Sequence, residues 1–156
     1  MSEISTEFLE ICIATLERSY ELLMKSKEGS IDYEMYRNAL VKAFEMTLEQ
    51  SGKLLRKKIT PYFTTKKSAD ILVFKDLFRS AARYGLLSQD EVERWLKYRD
   101  NRNNTAHDYG QKFAQETLSL IKDFIKDAKN LKKAIDNKSL KELRSIIKKL
   151  YPKAIV

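Results

Sequence analysis

Arg102 and His107 are the two residues whose chemistry and spacing first suggest a reactive site. His107 is the only histidine among 156 residues, and it lies five positions after the arginine. A guanidinium group can hold a phosphate through paired hydrogen bonds, and a neutral imidazole can accept a proton near neutral pH. The two groups are suited to cleaving a phosphodiester without a metal. His107 would move a proton, and Arg102 would stabilise the charged phosphorane.

The segment around these residues is expected to begin the last long helix. Residues 100–104 are rich in Asp and Asn, which compete for backbone hydrogen bonds and should weaken the preceding helix. Thr105 can cap a new helix with the help of Asp108, and this places His107 in the first turn. The positive end of the helix dipole and the nearby Arg102 would both favour the neutral imidazole.

The reaction needs two proton transfers, and each chain has one histidine. A single His107 cannot remove a proton from the ribose 2′-hydroxyl and protonate the leaving oxygen at the same moment. A dimer that brings two copies together would supply both groups. Dimerisation is therefore predicted along with the activity.

A purely structural role is the competing interpretation of the same segment. Arg102 would then pair with Asp100 or Asp108, and the ring of Tyr109 would pack on the bundle. The two asparagines after Arg102 would be ordinary turn residues. The residues alone leave both interpretations open.

The composition favours one helical domain. The chain has 4 Gly and 2 Pro, too few for the many turns of a β-sandwich or barrel. The 43% of hydrophobic residues is enough for a core. The single cysteine, Cys12, lies among apolar residues and is predicted to be a buried thiol. One Cys and one His make no zinc-ligand set, so no metal and no cofactor are expected.

Charge and hydropathy suggest where the protein works. No apolar run approaches the ~18 residues of a membrane span, and the acidic N-terminus is unlike a signal peptide. A cytoplasmic protein with no membrane partner is expected. The net charge of +8 is modest support for an RNA partner. Pairs of adjacent lysines are explained at least as well by a helical face exposed to solvent.

Apolar residues at helical spacing predict two long N-terminal helices. The first spans residues 5–25, and the second begins at a cap, Ser30 or Asp32, and runs to about residue 58. Pro61 follows in a connection that does not extend the helix. The apolar positions assigned to the first helix are Phe8, Ile11, Cys12, Thr15, Leu16, Ser19, Tyr20 and Leu23.

Three further helices complete the predicted domain. A shorter one spans residues 74–87, with Gly85 as a possible C-terminal cap. Ser88 and Glu91 form a capping box that opens the next, and the last long helix runs from Thr105 to about residue 135. Four long amphipathic helices and a short one indicate an all-α, up-and-down four-helix-type bundle. The aromatic rings at Trp95, Tyr20 and Tyr36 are expected in its core rather than at a nucleobase site.

The last twenty residues are treated as a separate segment. A bundle is assigned to residues 1–136 and a basic helical tail to residues 137–156. A capping box at Ser139 and Glu142 starts an amphipathic helix, and Pro152 stops it. The apolar residues that follow read as the start of a strand. The tail is either an ordinary basic helix or the opening of a nucleotidyltransferase domain, which it resembles.

The motif segment, defined as residues 102–109, resembles that of the HEPN domain family. Arg102, Asn103, His107 and Tyr109 match its R-N-x-x-x-H-x-Y pattern at the start of the last bundle helix. Two branches resemble this chain over residues 1–136: the HepT-like toxins and the nucleotidyltransferase substrate-binding proteins. The lead-in over residues 74–87, followed by Trp95, is similar to the second branch.

The resemblance carries its own expectations. It implies a dimer with the Arg102 and His107 motifs at the interface, supported by Asn103. In the toxin branch it implies metal-independent RNase activity, restrained by a minimal nucleotidyltransferase that transfers AMP onto Tyr109. In the other branch it implies a non-catalytic substrate-binding subunit. A basic helical module that merely binds nucleic acid is the third hypothesis.

Overall fold

The protein is an all-α bundle, as predicted. The computed structural model describes residues 4–105, 111–137 and 140–153, and no strand occurs within those ranges. Helices α1, α2, α5 and α6 form the bundle, and α4 packs against α2 and α5. The helices are α1 Glu7–Lys25, α2 Ile31–Ile59, α3 Lys66–Asp70, α4 Phe74–Arg83, α5 Gln89–Thr105, α6 Gln111–Asp136 and α7 Leu140–Leu150.

Helix α1 begins and ends close to the predicted bounds, but its buried side is rotated from the predicted one. Cys12 is buried as expected, and burial raises the pKa of its thiol. Phe8 and Ile11 were assigned to the apolar side and are instead 47% and 60% exposed. Among the described residues, α1 makes its extensive contacts with α2 and α6, and the side of α1 that they cover is centred on Leu9 and Ile13.

Helix α2 is defined at both ends by local chemistry. The Ser30 hydroxyl accepts a hydrogen bond from the backbone N–H of Tyr33 at 3.1 Å, which selects Ser30 over Asp32 as the cap. The helix ends where Pro61 enters a 3₁₀ turn, Thr60–Tyr62. The five-residue α3 that follows was not predicted from the sequence.

The connection between α4 and α5 follows the predicted turn chemistry. Helix α4 stops at Arg83, four residues before the predicted end. Gly85 has φ +76°, and the N–H groups of Gly85 and Leu86 bond to carbonyls at the end of α4. Ser88 and Glu91 exchange side-chain-to-backbone hydrogen bonds of 3.1 Å, so the capping box is confirmed.

Two contacts fix one end of the bundle. The Thr6 hydroxyl donates to Asp136 at 2.7 Å, and the Lys58 ammonium donates to the backbone carbonyl of Asn137 at 2.6 Å. The start of α1 therefore meets the ends of α2 and α6. A helix of 26 residues is about 39 Å long, so the start of α6 lies at the opposite end.

A group of large aromatic side chains fills the centre of the core. Trp95 is fully buried, as predicted, and its ring lies 5.1 Å from Phe78 and 5.5 Å from Phe124. Phe124 also contacts Phe44 of α2 at 4.6 Å between ring centroids. Tyr20 and Tyr36 are half-buried and pack against this core, in agreement with the predicted structural role. Helices α2, α4, α5 and α6 thus share one apolar interior.

Helix α7 stands apart from that interior. It ends at Leu150, just before Pro152, as predicted. Leu143, Ile147 and Leu150 are exposed, and the described residues of α7 form no extended interface with the other helices. The predicted capping serine and most of the predicted strand lie outside the described residues.

Candidate functional site

The end of α5 carries the first residue of the motif segment. Helix α5 continues through Thr105, so the polar residues predicted to weaken it at 100–104 do not end it. Thr105 lies within α5, so its predicted role as the cap of a new helix is wrong. Arg102 and Asn103 lie in its last turns, and the side chain of Arg102 is half-buried. His107 and Tyr109 lie outside the described residues, so the separation of Arg102 from His107 stays a prediction.

An ionic cluster around the buried carboxylate of Asp127 joins α5 to α6. We call Arg94, Tyr98 and Asp127 the Asp127 cluster. The Arg94 side chain donates two hydrogen bonds to the carboxylate of Asp127, at 2.8 and 2.9 Å. The phenol of Tyr98 donates a third, at 2.5 Å. Asp127 is 1% exposed, so its charge is compensated by these donors rather than by water.

The cluster perturbs the ionisation of its donors. Burial, and then the hydrogen bond to Asp127, raises the pKa of Tyr98 far above its ordinary value. The hydrogen bonds to Asp127 likewise raise the pKa of Arg94. Both groups therefore keep their protons at any physiological pH. This makes the cluster a constant structural connection, not a proton carrier.

A second polar contact lies nearer the motif segment. The side-chain amide of Asn101 donates to the hydroxyl of Thr117 at 3.1 Å, and Thr117 is buried. Tyr98 pairs with Asp127, and Asn101, further along α5, pairs with the earlier Thr117 of α6. The two helices therefore run antiparallel. Arg102 directly follows Asn101, so this contact fixes the backbone from which the Arg102 side chain projects.

These positioning residues were missed by the sequence prediction, although a signal was present. Asp127 occupies the same side of α6 as Phe124, Ala128 and Leu131, which are all fully buried. A carboxylate in the middle of an apolar helical side requires a buried donor. The donors lie 29 and 33 residues away, so their identity could not be read from local spacing.

Two classes of site have no support in the described part of the chain. No group of three or more His, Cys, Asp or Glu side chains that could hold a metal ion occurs there. Within the same residues, no helix is long and apolar enough to cross a membrane.

The amino-acid sequence of the bundle matches a known protein family. The family model for proteins like the nucleotidyltransferase substrate-binding protein matches residues 8–137. The chain belongs to this family. The match covers the whole bundle and ends where α6 ends, so α7 lies outside it.

A protein of Haemophilus influenzae is also similar in sequence. The chain is 32% identical over 85 residues to the probable ribonuclease HepT of Haemophilus influenzae. That region is 54% of this chain and spans 57% of the relative.

Solved structures share the fold of this family member. A Haemophilus influenzae protein, described as having the fold of a substrate-binding domain of a nucleotidyltransferase, superposes with TM-score 0.73 at 24% identity, covering 85% of this chain and all of the other. A Thermus thermophilus protein superposes with TM-score 0.65 at 24% identity, over 83% and 99% of the two chains. A toxin–antitoxin structure with AMP-PNP gives TM-score 0.56 at 14% identity, over 85% and 100%. At these identities the likeness concerns the fold alone.

Proposed function

We propose that this protein is a metal-independent endoribonuclease of the HepT-like type, the toxin of a toxin–antitoxin pair. The observation that carries the proposal is the position of Arg102, in the last turn of a helix fixed by the Asp127 cluster and by Asn101. His107 follows five residues later in the chain. Similarity to a probable ribonuclease supports the same assignment.

The proposed reaction is an internal transfer at phosphorus. His107 removes the proton of a ribose 2′-hydroxyl, and the 2′-oxygen attacks the adjacent phosphorus. The bond to the 5′-oxygen breaks, which leaves a 2′,3′-cyclic phosphate, and the leaving oxygen takes a proton from His107 of a second copy, which enters the reaction as the protonated imidazolium. Arg102 stabilises the extra negative charge of the phosphorane through paired hydrogen bonds. Asn103 supports this arrangement.

The two-histidine requirement makes the homodimer part of the proposal. Each active site would combine the motif segments of both chains, since one chain holds only one imidazole. Sedimentation velocity on the full chain is expected to give twice the mass of one chain. A protein that cleaves RNA as a strict monomer would contradict the shared site.

Regulation by a minimal nucleotidyltransferase completes the toxin–antitoxin proposal. AMP transferred from ATP to the hydroxyl of Tyr109 would place an anionic group two residues from His107. The adenylate would exclude RNA and compete for the guanidinium of Arg102. Incubation with the partner and ATP should add one adenylate per chain by mass spectrometry. Tyr109→Phe should abolish the addition while leaving RNA cleavage intact.

The decisive experiment measures RNA cleavage in EDTA. We expect wild-type protein to cleave a labelled single-stranded RNA, and both Arg102→Ala and His107→Ala to lower the rate by about 100-fold or more. Lys97→Ala is the matched control, because Lys97 is an exposed cation on the same helix. Urea unfolding of each variant separates loss of chemistry from loss of fold. Equal cleavage by wild type and both motif variants would end the proposal.

A second function is favoured by the family description. The protein would then be a non-catalytic subunit that binds a nucleotidyltransferase and presents its substrate. The same experiments distinguish the two: absence of RNA cleavage together with adenylation of Tyr109 identifies the subunit.

Residues 137–156 are proposed as a separate basic segment, because six of them are basic against one acidic. The reading frame after residue 156 decides whether that segment opens a nucleotidyltransferase domain.

A further inference from the structure

A surface groove lies beside the end of α5 that carries Arg102. It has a volume of about 310 Å³ and forms where the start of α4 faces the second half of α5. Its lining residues are Val73, Phe74, Lys75, Leu96, Arg99 and Asp100. We call it the α4–α5 groove. Its volume is at the lower end of pockets that hold small ligands, so it fits one nucleotide rather than several.

One wall of the groove is an aromatic ring held in a fixed place. Phe74 stacks on Phe78 with ring centroids 4.4 Å apart, and Phe78 is fully buried in the core. Behind the ring lies Gly52 of α2, where an added Cβ would stand 3.6 Å from Phe74. Val73 leaves 63% of its surface exposed at the same place. The fold thus presents apolar surface to solvent here, supported from behind by the core.

A planar cation covers that ring. The guanidinium carbon of Arg99 lies 5.1 Å from the centroid of Phe74, which is the geometry of a cation–π contact. Arg99 also lines the groove and is only partly buried, so a flat ligand in the groove can reach its guanidinium. Arginine planes stack on unpaired nucleobases in RNA-binding proteins.

The charges of the groove favour a ligand that combines a base with a phosphate. Arg99 and Lys75 supply two cations against the single carboxylate of Asp100. Lys75 is suited to a phosphate oxygen, as a compact ammonium group. Asp100 can accept a hydrogen bond from the exocyclic amine of adenine, cytosine or guanine. Inorganic phosphate alone would leave the apolar wall unused.

We propose that the α4–α5 groove binds one nucleotide of single-stranded RNA, with its base stacked on Arg99 and its phosphate at Lys75. This inference rests on the proposed function for its link to chemistry. Arg99 precedes Arg102 by three residues on α5, and residues at that spacing are neighbours on the helix surface with Cβ atoms about 5–6 Å apart. The bound nucleotide would therefore lie next to the phosphate that Arg102 holds for cleavage.

The test measures binding without any cleavage. The probe is a short, fluorescein-labelled single-stranded RNA methylated at every 2′-oxygen, because it lacks the attacking hydroxyl. Fluorescence anisotropy with the full chain is expected to give a Kd that Arg99→Met weakens by about 5- to 100-fold, as loss of a stacking partner does. Methionine keeps apolar contact with Phe74, and urea unfolding checks that the fold is retained.

Matched variants separate stacking from charge. Lys97→Met removes one exposed cation of α5 outside the groove and should change the Kd by no more than about 2-fold. Arg99→Lys keeps the charge without the plane and should bind nearly as weakly as Arg99→Met. Lys75→Met should weaken binding by an intermediate factor. Wild-type affinity in Arg99→Lys, or equal losses in Arg99→Met and Lys97→Met, would overturn the subsite.

Competition identifies the ligand class and keeps the two proposals distinguishable. Adenosine or cytidine monophosphate should displace the probe at concentrations where inorganic phosphate does not. Displacement by phosphate alone, or no binding of the probe by wild-type protein, would also overturn the subsite. Binding with this variant pattern and no cleavage of unmodified RNA would preserve the subsite and refute only the nuclease proposal.

Discussion

Helices α6 and α7 follow one another in the chain and carry the same kind of apolar stripe, but their surroundings differ completely. Helix α6 buries Ile121, Phe124, Ala128, Leu131 and Ile135 in the bundle core. Helix α7 leaves Leu143, Ile147 and Leu150 exposed. The spacing of apolar residues therefore establishes that a helix forms and which side is apolar, without establishing what covers that side.

Polar contacts over long sequence separations mark the difference between the two helices. Helix α6 is joined to α5 through Asp127 and Thr117, and to α1 through Asp136. Among the α7 residues whose side chains the structure describes, 143–150, none forms a side-chain hydrogen bond or ion pair with the bundle. Buried polar groups demand specific partners, whereas an apolar side accepts many. We infer that the polar contacts select the neighbours and orientation of α6.

The largest expected effect is the loss of the Asp127 carboxylate. Asp127→Ala leaves the buried phenol of Tyr98 without its acceptor and removes the partner of Arg94. Breaking a buried ion pair costs about 3–5 kcal/mol. Arg94 is 40% exposed and can be rehydrated, so a loss of about 3 kcal/mol in the free energy of unfolding is expected. Urea unfolding followed by circular dichroism measures it.

The control for that prediction lies on the same helix. Asp123 is an exposed carboxylate of α6, and Asp123→Ala should change the free energy of unfolding by no more than about 0.5 kcal/mol. Similar losses in the two variants would mean that the Asp127 cluster is not what holds α5 to α6. The contrast between α6 and α7 would then need another explanation.

A pair of identical substitutions compares the two helices directly. Ile135→Ala in α6 truncates a side chain that is 3% exposed. We expect it to lower the free energy of unfolding by about 2–3 kcal/mol. The lower part of the usual range applies because Ile135 lies one residue from the end of α6, where the chain can relax. Ile147→Ala in α7 starts at 39% exposure and should cost no more than about 0.5 kcal/mol. A comparable loss in Ile147→Ala would reveal a packing partner for α7.

Local sequence rules predicted the parts of the fold that depend on local chemistry. Gly85 supplies the positive φ that ends the turn after α4, and Ser88 with Glu91 starts α5. Both features need only a few consecutive residues, so their signals are complete in the sequence. The order of the long helices follows from apolar spacing in the same way.

The errors arise where tertiary contacts override local preference. Asp and Asn residues at 100–104 are poor helix formers, yet α5 continues through them. The contact of Asn101 with Thr117 uses one of those same polar side chains to hold the helix in the bundle. In α1, Phe8 and Ile11 fit the helical spacing of apolar residues as well as their buried neighbours do. The positions of α2 and α6 determine which of these side chains are buried.

In the candidate site too, some residues could be identified from a local pattern and others only from the tertiary structure. Arg102 and His107 were singled out from residue type and spacing, and Arg102 lies at the end of a fixed helix. The residues that fix it, Asp127 and Tyr98, are separated by 29 positions and carry no motif. Chemistry at a reacting group is visible in a short pattern. The structure that positions the group is distributed over the whole bundle.

The smallest expected effect is a change in pH dependence at Tyr98. Burial and the bond to Asp127 raise its pKa in the folded state, whereas in the unfolded chain the phenol titrates near pH ~10. Above that pH the unfolded chain releases a proton that the folded chain keeps. The stabilisation that Tyr98 contributes is therefore fully present below pH ~10. Above that pH, its contribution to the free energy of unfolding falls by up to about 1.4 kcal/mol per pH unit.

Tyr98→Phe removes the titrating phenol and so measures its contribution to the free energy of unfolding. At pH 8 the variant should be less stable than wild type by about 1–2 kcal/mol, because a hydrogen bond to a carboxylate is lost. That difference should shrink as the pH rises from 10 to 11, since phenylalanine has no proton to lose. Tyr151→Phe, at an exposed position after α7, should leave the free energy of unfolding unchanged at pH 8. If wild type and Tyr98→Phe lose stability in parallel between pH 10 and 11, the phenol of Tyr98 is not held by a buried carboxylate, and the polar contacts of α6 do not distinguish it from α7.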